Sequence, residues 1–191
     1  MDVPLSVLNI TAQLLTINQF VTAQASIGSA PPMAWGYNSF DIFQLTTLGN
    51  PGFVLNHPTA PGVINSLSGP IMTVTVAGKV YPPEDVNYYL YGAWLRVTGT
   101  SLDFGIHQTI AHRVLSYSGT GTGPRIAWIK AGYYQNFNYA APTAIAGAQP
   151  QLQPYNGPLS FELGQGNSKL QATVFGNGLV LPNVIDPTLS P

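Results

Sequence analysis

Polar and apolar residues alternate with a period of two in several stretches of this chain. Ile71-Met72-Thr73-Val74-Thr75-Val76 sets Met72, Val74 and Val76 on one face and Ile71, Thr73 and Thr75 on the other. That is the pattern of a half-buried strand. Lys169–Phe175 repeats it, with Leu170, Ala172 and Val174 opposing Gln171, Thr173 and Phe175. Phe40–Leu48, Asn87–Thr98, Gln108–Tyr117, Arg125–Tyr134 and Pro158–Leu163 are further strand candidates. Helical periodicity is weaker. Its best candidate is Leu5–Ala25, where Thr11, Thr16, Ile17, Val21 and Thr22 are β-branched and disfavour a helix.

Turn residues separate these stretches: Gly49-Asn50-Pro51-Gly52, Ser68-Gly69-Pro70, Tyr81-Pro82-Pro83, Gly119–Pro124 and Asn156-Gly157-Pro158. Each supplies a fixed φ or tolerates a positive one. Asn177-Gly178, between Val174-Phe175 and Leu179-Val180-Leu181, predicts a tight hairpin. The expected fold is therefore all-β: a single sandwich or barrel of about eight strands. The long connections Gly28–Tyr37, Gly49–Gly69 and Ala140–Gly157 favour jelly-roll crossings over a meander. The expected organisation is one domain over residues 1–191, with extended segments at both ends, the last being Pro182–Pro191. No fixed-period repeat points to a propeller or solenoid.

Charge changes the picture most. Only 7% of residues are charged, against roughly 25% in an ordinary globular domain. Lys79, Arg96, Arg113, Arg125, Lys130 and Lys169 are scattered along the chain. Nucleic-acid binding needs clustered cations to displace counterions, so no direct nucleic-acid partner is expected. No apolar run approaches the 18 or so residues of a spanning helix. Met1-Asp2-Val3-Pro4 lacks the basic start and apolar core of a secretion signal, so the protein is expected to remain where it is made. Interfaces deplete charge at their centres and enrich Tyr, Trp and Phe. A charge-poor chain with 10 Tyr therefore points to a surface covered by neighbours.

Chemistry finds little support. There is no cysteine, which excludes disulfides and thiolate metal sites. His107 and His112, five apart, would face opposite sides of a strand, and His57 sits in Asn56-His57-Pro58. No metal, cofactor or catalytic residue is expected. The carboxylates show no strong pair, and Gly119–Arg125 lacks the lysine and strand-to-helix context of a phosphate loop. The densest local feature is aromatic, Tyr88-Tyr89-Leu90-Tyr91-Gly92-Ala93-Trp94, with Trp128, Tyr133, Tyr134, Phe137 and Tyr139 later. Such residues serve as core, as interface anchors or as sugar platforms. Tyr88, Tyr89, Tyr91 and Trp94, with Arg96 at the end of the same segment, are the candidate contact residues.

The short chain near 20 kDa, the strand–turn rhythm (Ile71–Val76, Asn177-Gly178) and the sparse charge together resemble the small single-jelly-roll major capsid proteins of tailless icosahedral phages with an internal membrane, notably those infecting Thermus. The resemblance covers the whole chain in overall character and carries over no functional residue. It implies a virion location after synthesis in a host cytoplasm. It also implies that copies tile a shell with a second, larger coat protein over the virion membrane. A homodimer is the first state expected of the isolated protein. Two other readings stand beside it: a carbohydrate-binding or receptor-binding β-sandwich with an exposed aromatic patch, and a hydrolase with a pocket around His107 or His112.

Overall fold

The computed structural model describes residues 7–27, 44–47, 73–117, 119, 121–163 and 170–182. Helices, not strands, dominate them. The order is β1 (Val7–Asn9), α1 (Thr11–Ile27), β2 (Gln44–Thr47), β3 (Thr73–Val76), β4 (Lys79–Tyr81), α2 (Pro83–Val86), α3 (Tyr88–Val97), α4 (Leu102–Tyr117) and α5 (Thr122–Tyr134). Two 3-10 turns, Phe137–Tyr139 and Ala141–Thr143, lead to β5 (Leu159–Leu163), β6 (Leu170–Val174) and β7 (Val180–Pro182). The all-β jelly roll is thus replaced by a mixed α/β fold. Among the described residues four long helices accompany a three-stranded sheet, β1-β3-β4, and a four-stranded sheet, β2-β5-β6-β7. Neither sheet closes into a barrel.

The expected helix over Leu5–Ala25, discounted for its β-branched residues, forms as α1. Its stripe of Ile10, Gln13, Leu14, Ile17, Asn18 and Val21 is buried, and this 3.6-residue spacing outweighs a propensity cost of about 0.5 kcal/mol per β-branched residue. Asn9 Oδ1 accepts from the Thr11 backbone N and hydroxyl at the helix start. The hydroxyls of Thr16, Thr22 and Ser26 donate to carbonyls four residues back, satisfying themselves within the helix by sharing its acceptors.

Three expected strands are helices. Asn87–Thr98 lies on α3, Gln108–Tyr117 on α4 and Arg125–Tyr134 on α5. In α3 the seven consecutive residues Tyr89 to Leu95 are buried, so its apolar run has neither period. Glycine placement decides the geometry. A Cβ on Gly92 would collide with the Ile129 carbonyl of α5, and one on Gly132 with the Tyr89 carbonyl of α3. The two helices therefore cross in backbone contact. Gly105 likewise makes room for the Leu95 side chain between α4 and α3. Gly119–Pro124, expected as a turn between strands, instead leads from one helix into the next. The Gly119 amide donates to the Arg113 carbonyl at the end of α4, and left-handed Gly121 precedes α5.

The strands that were legible are those whose sequence alternates, although all four residues of β3 are buried. β3 occupies the second half of Ile71–Val76, paired parallel to β1 and antiparallel to β4. β5 and β6 pair antiparallel within Pro158–Leu163 and Lys169–Phe175. The Asn177-Gly178 hairpin forms between β6 and β7, with Gly178 at φ +86° and Asn177 Oδ1 accepting from the Leu179 amide at 3.0 Å. Of the long connections, Gly28–Tyr37 and Gly49–Gly69 lie outside the described residues, as does most of Pro182–Pro191. Ala140–Gly157 begins in a 3-10 turn. It then runs beside β1 and β3, where the Gln151 amide donates to Thr75 Oγ1 and the Tyr155 amide to the Asn9 carbonyl.

One buried cluster joins both sheets and the helices. Its centre is aromatic: Trp128 packs edge-on against Tyr81 at 4.9 Å, and Tyr89 stacks on Phe137 at 5.4 Å. At the other end Phe20 of α1 meets Phe161 of β5 at 6.1 Å.

Candidate functional site

The expected contact residues do not share a surface. Tyr89 and Tyr91 are fully buried and Trp94 is 3% exposed. Tyr91 and Trp94 stack against one another inside the fold. As a strand, Tyr88–Trp94 would have shown alternate residues to solvent. As a helix enclosed by α1, α4 and α5 it shows almost none. Only Tyr88 and Arg96 keep partial exposure, and the Tyr88 ring lies under the Arg125 guanidinium at 5.6 Å.

The surface that does stand out is α4, which no sequence pattern singled out. Its inward line is Gly105, Thr109 and Arg113, spaced four residues apart. Its outward arc carries Phe104, Ile110, Val114 and Leu115, at 47%, 37%, 57% and 86% exposure, with Ala111, Gln108, His107 and Asp103 among them. At about 100° per residue these outward positions span roughly 160° of the helix. The inward residues explain the inversion. Gly105 admits Leu95, Thr109 Oγ1 bonds to the Gly105 carbonyl at 3.0 Å, and Arg113 reaches the charged cluster beneath. The result is a mostly apolar helix face turned to solvent, the usual mark of a contact surface.

That charged cluster gathers Glu84, Asp85, Arg113 and Arg125 from α2, α4 and α5. Asp85 is 7% exposed, and its carboxylate lies 3.7 Å from Arg125 Nε. Burial raises its pKa to about 6. Arg125 and Arg113 oppose that rise and Glu84 adds to it. Arg125 Nη1 also donates to the Gly121 carbonyl at 3.1 Å, fixing the guanidinium between the ion pair and the Tyr88 ring. The desolvation of the acid outweighs its pairing, as buried ion pairs commonly do.

A third cluster surrounds Arg96. Its Nη2 donates to Asn18 Oδ1 and, at 2.6 Å, to Thr22 Oγ1. Turned with its carbonyl toward the guanidinium, Gln135 accepts from Nη2 at 2.7 Å and Nη1 at 3.1 Å. Asn18 Nδ2 donates to the Tyr89 hydroxyl at 2.9 Å and to the Gly132 carbonyl at 3.2 Å. Burial lowers the Arg96 pKa and pushes the Tyr89 phenol up to about 12. Among the described residues no carboxylate faces Arg96, so neutral oxygens alone solvate the cation. Arg96 and Tyr89 are the residues here that the sequence singled out. Asn18, Thr22 and Gln135 carry no local signal, because they lie on other elements.

Beyond Gln135 the chain turns outward. Tyr134 and Tyr139 stack at 5.0 Å with 27° between their rings, both about half exposed, and Tyr133 meets Tyr134 edge-on at 5.2 Å.

The histidines do not converge. On α4, His107 points outward while His112 is partly buried, about 140° around the helix. Among the described residues no group of three or more His, Asp or Glu could hold a metal ion, and no helix is long and apolar enough to cross a membrane. No family model matches the chain, and neither does any curated protein or solved structure.

Proposed function

We propose that this protein is a non-catalytic, self-associating structural subunit, and that α4 is its contact element. The outward apolar arc of Phe104, Ile110, Val114 and Leu115 carries this reading. A second copy suits that arc better than a charged partner, since Asp103 is its only charge. Two α4 helices paired antiparallel about a two-fold near residues 109 and 110 place Phe104 opposite Leu115 and Gln108 opposite Ala111. Large then meets branched at both ends, and between them the long Gln108 amide lies over the small Ala111. This is the self-complementarity an isologous contact requires. Antiparallel pairing also opposes the two helix dipoles.

Size sets the strength. Sixteen residues make a helix about 24 Å long, and a strip about 10 Å wide covers only ~240 Å². A standard stable interface buries about 800 Å² per partner. The α4 contact alone is therefore weak, and a durable assembly would combine several such contacts at once. The wider expectation of a shell shared with a larger coat protein over a membrane came from likeness to a β-barrel tile. The mixed α/β fold supplies no such tile, so the proposal stops at self-association.

Sedimentation or light scattering across protein concentration tests it. Association that grows with concentration, changes little with salt and disappears in Leu115→Asp supports the proposal. A chain that stays monomeric to about 1 mM, where even a contact of about −4 kcal/mol would register, overturns it.

A further inference from the structure

The segment that follows α5 is a rigid platform rather than a loose connection. The Asn136 amide donates to the Ala131 carbonyl at 3.0 Å, closing the helix. Asn136 Oδ1 accepts from the Asn138 amide at 3.0 Å. The Tyr139 and Ala140 amides then donate to the Asn136 and Phe137 carbonyls. Phe137 is pinned from below by stacking on Tyr89 and by contact with Trp128 at 6.4 Å. Gln135 occupies the left-handed region at φ 54°, a conformation that costs a non-glycine residue about 1 kcal/mol. Its side chain offsets this cost by bonding Arg96. The backbone is thus held from three sides while Tyr134, Gln135, Asn136, Asn138 and Tyr139 face solvent.

We infer that this surface binds a neutral oligosaccharide. Two near-parallel tyrosine rings, half exposed, offer the apolar stacking surface that the C–H face of a pyranose needs. The exposed side-chain amides of Asn136 and Asn138 flank them, each able to donate and to accept, while that of Gln135 is held by Arg96. Sugar hydroxyls, which are also donor and acceptor together, match that set better than they match a charged rim. No charged residue lies between Ala131 and Thr143; of the nearest cations among the described residues, Arg96 is already engaged by Asn18, Thr22 and Gln135, and Lys130 lies on α5 one turn before Tyr134. Tyrosine rings and amides dominate the surface, so it matches an uncharged ligand better than an ionic one, and its binding is expected to change little with salt. Because the backbone is fixed before the ligand arrives, little ordering opposes association. The inference stands apart from self-association through α4, which uses different residues.

The test is a titration of the whole, isotope-labelled chain with cellohexaose, chitohexaose, maltohexaose and xylohexaose, followed by backbone amide shifts. At least one sugar is expected to move the resonances of Tyr133 to Tyr139 saturably while those of α4 stay in place. Tyr139→Ala is expected to weaken that binding about tenfold, or about 1.4 kcal/mol, and Tyr139→Phe to keep it. Leu115→Asp is expected to leave it unchanged, which separates a failure here from a failure of self-association. Three results overturn the inference. One is silence at Tyr133–Tyr139 from all four sugars at about 10 mM, where even a contact near −3 kcal/mol would show. Another is shifts confined to α4. The last is movement of the Tyr134 and Tyr139 resonances with protein concentration alone, which makes the platform a contact between copies.

Discussion

Helices α3 and α4 lie against one another and use their apolar residues in opposite ways. In α3, Tyr89 to Leu95 are buried on every side, and the polar exception, Arg96, sits at its end among neutral oxygens. In α4 the buried line is Gly105, Thr109 and Arg113, while Phe104, Val114 and Leu115 face out. At one point of their contact a glycine meets a leucine, Gly105 on Leu95. Hydrophobicity alone would have placed both apolar sets inside. What separates them is fit: α3 is caught between neighbours that meet it at backbone distance. α4 comes close to α3 at Gly105, and its Phe104, Val114 and Leu115 lie on the far face. An apolar residue is thus core or contact surface according to the element it faces, not its type.

Breaking the α3 side of this comparison should have the largest effect. Gly92→Ala or Gly132→Ala puts a methyl into a backbone carbonyl, and neither chain can yield without separating the helices. Helix propensity would favour alanine by about 1 kcal/mol. A net loss of about 3 kcal/mol or more is still expected by urea unfolding. Gly123→Ala on α5, where nothing lies within 4 Å, should instead be neutral or slightly stabilising. An equal response from Gly92 and Gly123 would sink the close-crossing account.

The charged floor under α4 gives the next effect, through pH. Asp85 titrates near 6 in the folded chain against 3.8 ordinarily, so between those values the folded state holds more protons than the unfolded. Its contribution is therefore complete below about pH 4 and is lost as pH rises through 6, by at most ~3 kcal/mol. Unfolding measured across pH 3.5 to 7 should show this slope (range chosen about the two pKa values), and Asp85→Asn should remove it. A variant with the wild-type slope would assign the titration elsewhere.

Gly105→Ala probes the seam between the two helices. Its methyl would meet the end of the Leu95 side chain, which can rotate aside, so a loss of only about 1 kcal/mol is expected. A loss as large as that of Gly92→Ala would mean that this seam is as rigid as the other.

The smallest effect on stability is expected on the outward face. Leu115→Asp should change unfolding by no more than ~0.5 kcal/mol, as surface substitutions usually do, while abolishing concentration-dependent association. A large loss of stability there would show that the face is covered within the chain itself.

Several features were legible in the sequence because their causes are local. The strands at Thr73–Val76, Leu159–Leu163 and Leu170–Val174 alternate, and Asn177-Gly178 meets the turn's demand for positive φ at Gly178 within a few residues. The stripe Ile10, Leu14, Ile17 and Val21 was equally local. Its β-branched residues mask it, since their helix propensity points the other way from its periodicity. Arg96 could be singled out as a charge beside an aromatic run. Low charge, too, is a property of composition alone, and it suggests association without saying where.

The rest was decided by distance along the chain. A fully buried run such as Tyr89–Leu95 has no polar face, so its period is silent and only its neighbours fix it as a helix. Whether Leu115 is core or surface depends on Gly105 meeting Leu95. Whether Arg96 is paired depends on Asn18, Thr22 and Gln135, none within 35 positions of it. Backbone propensity acts between adjacent residues and can be read one after another. Packing, desolvation and hydrogen-bond satisfaction act between surfaces that meet only when the chain has folded.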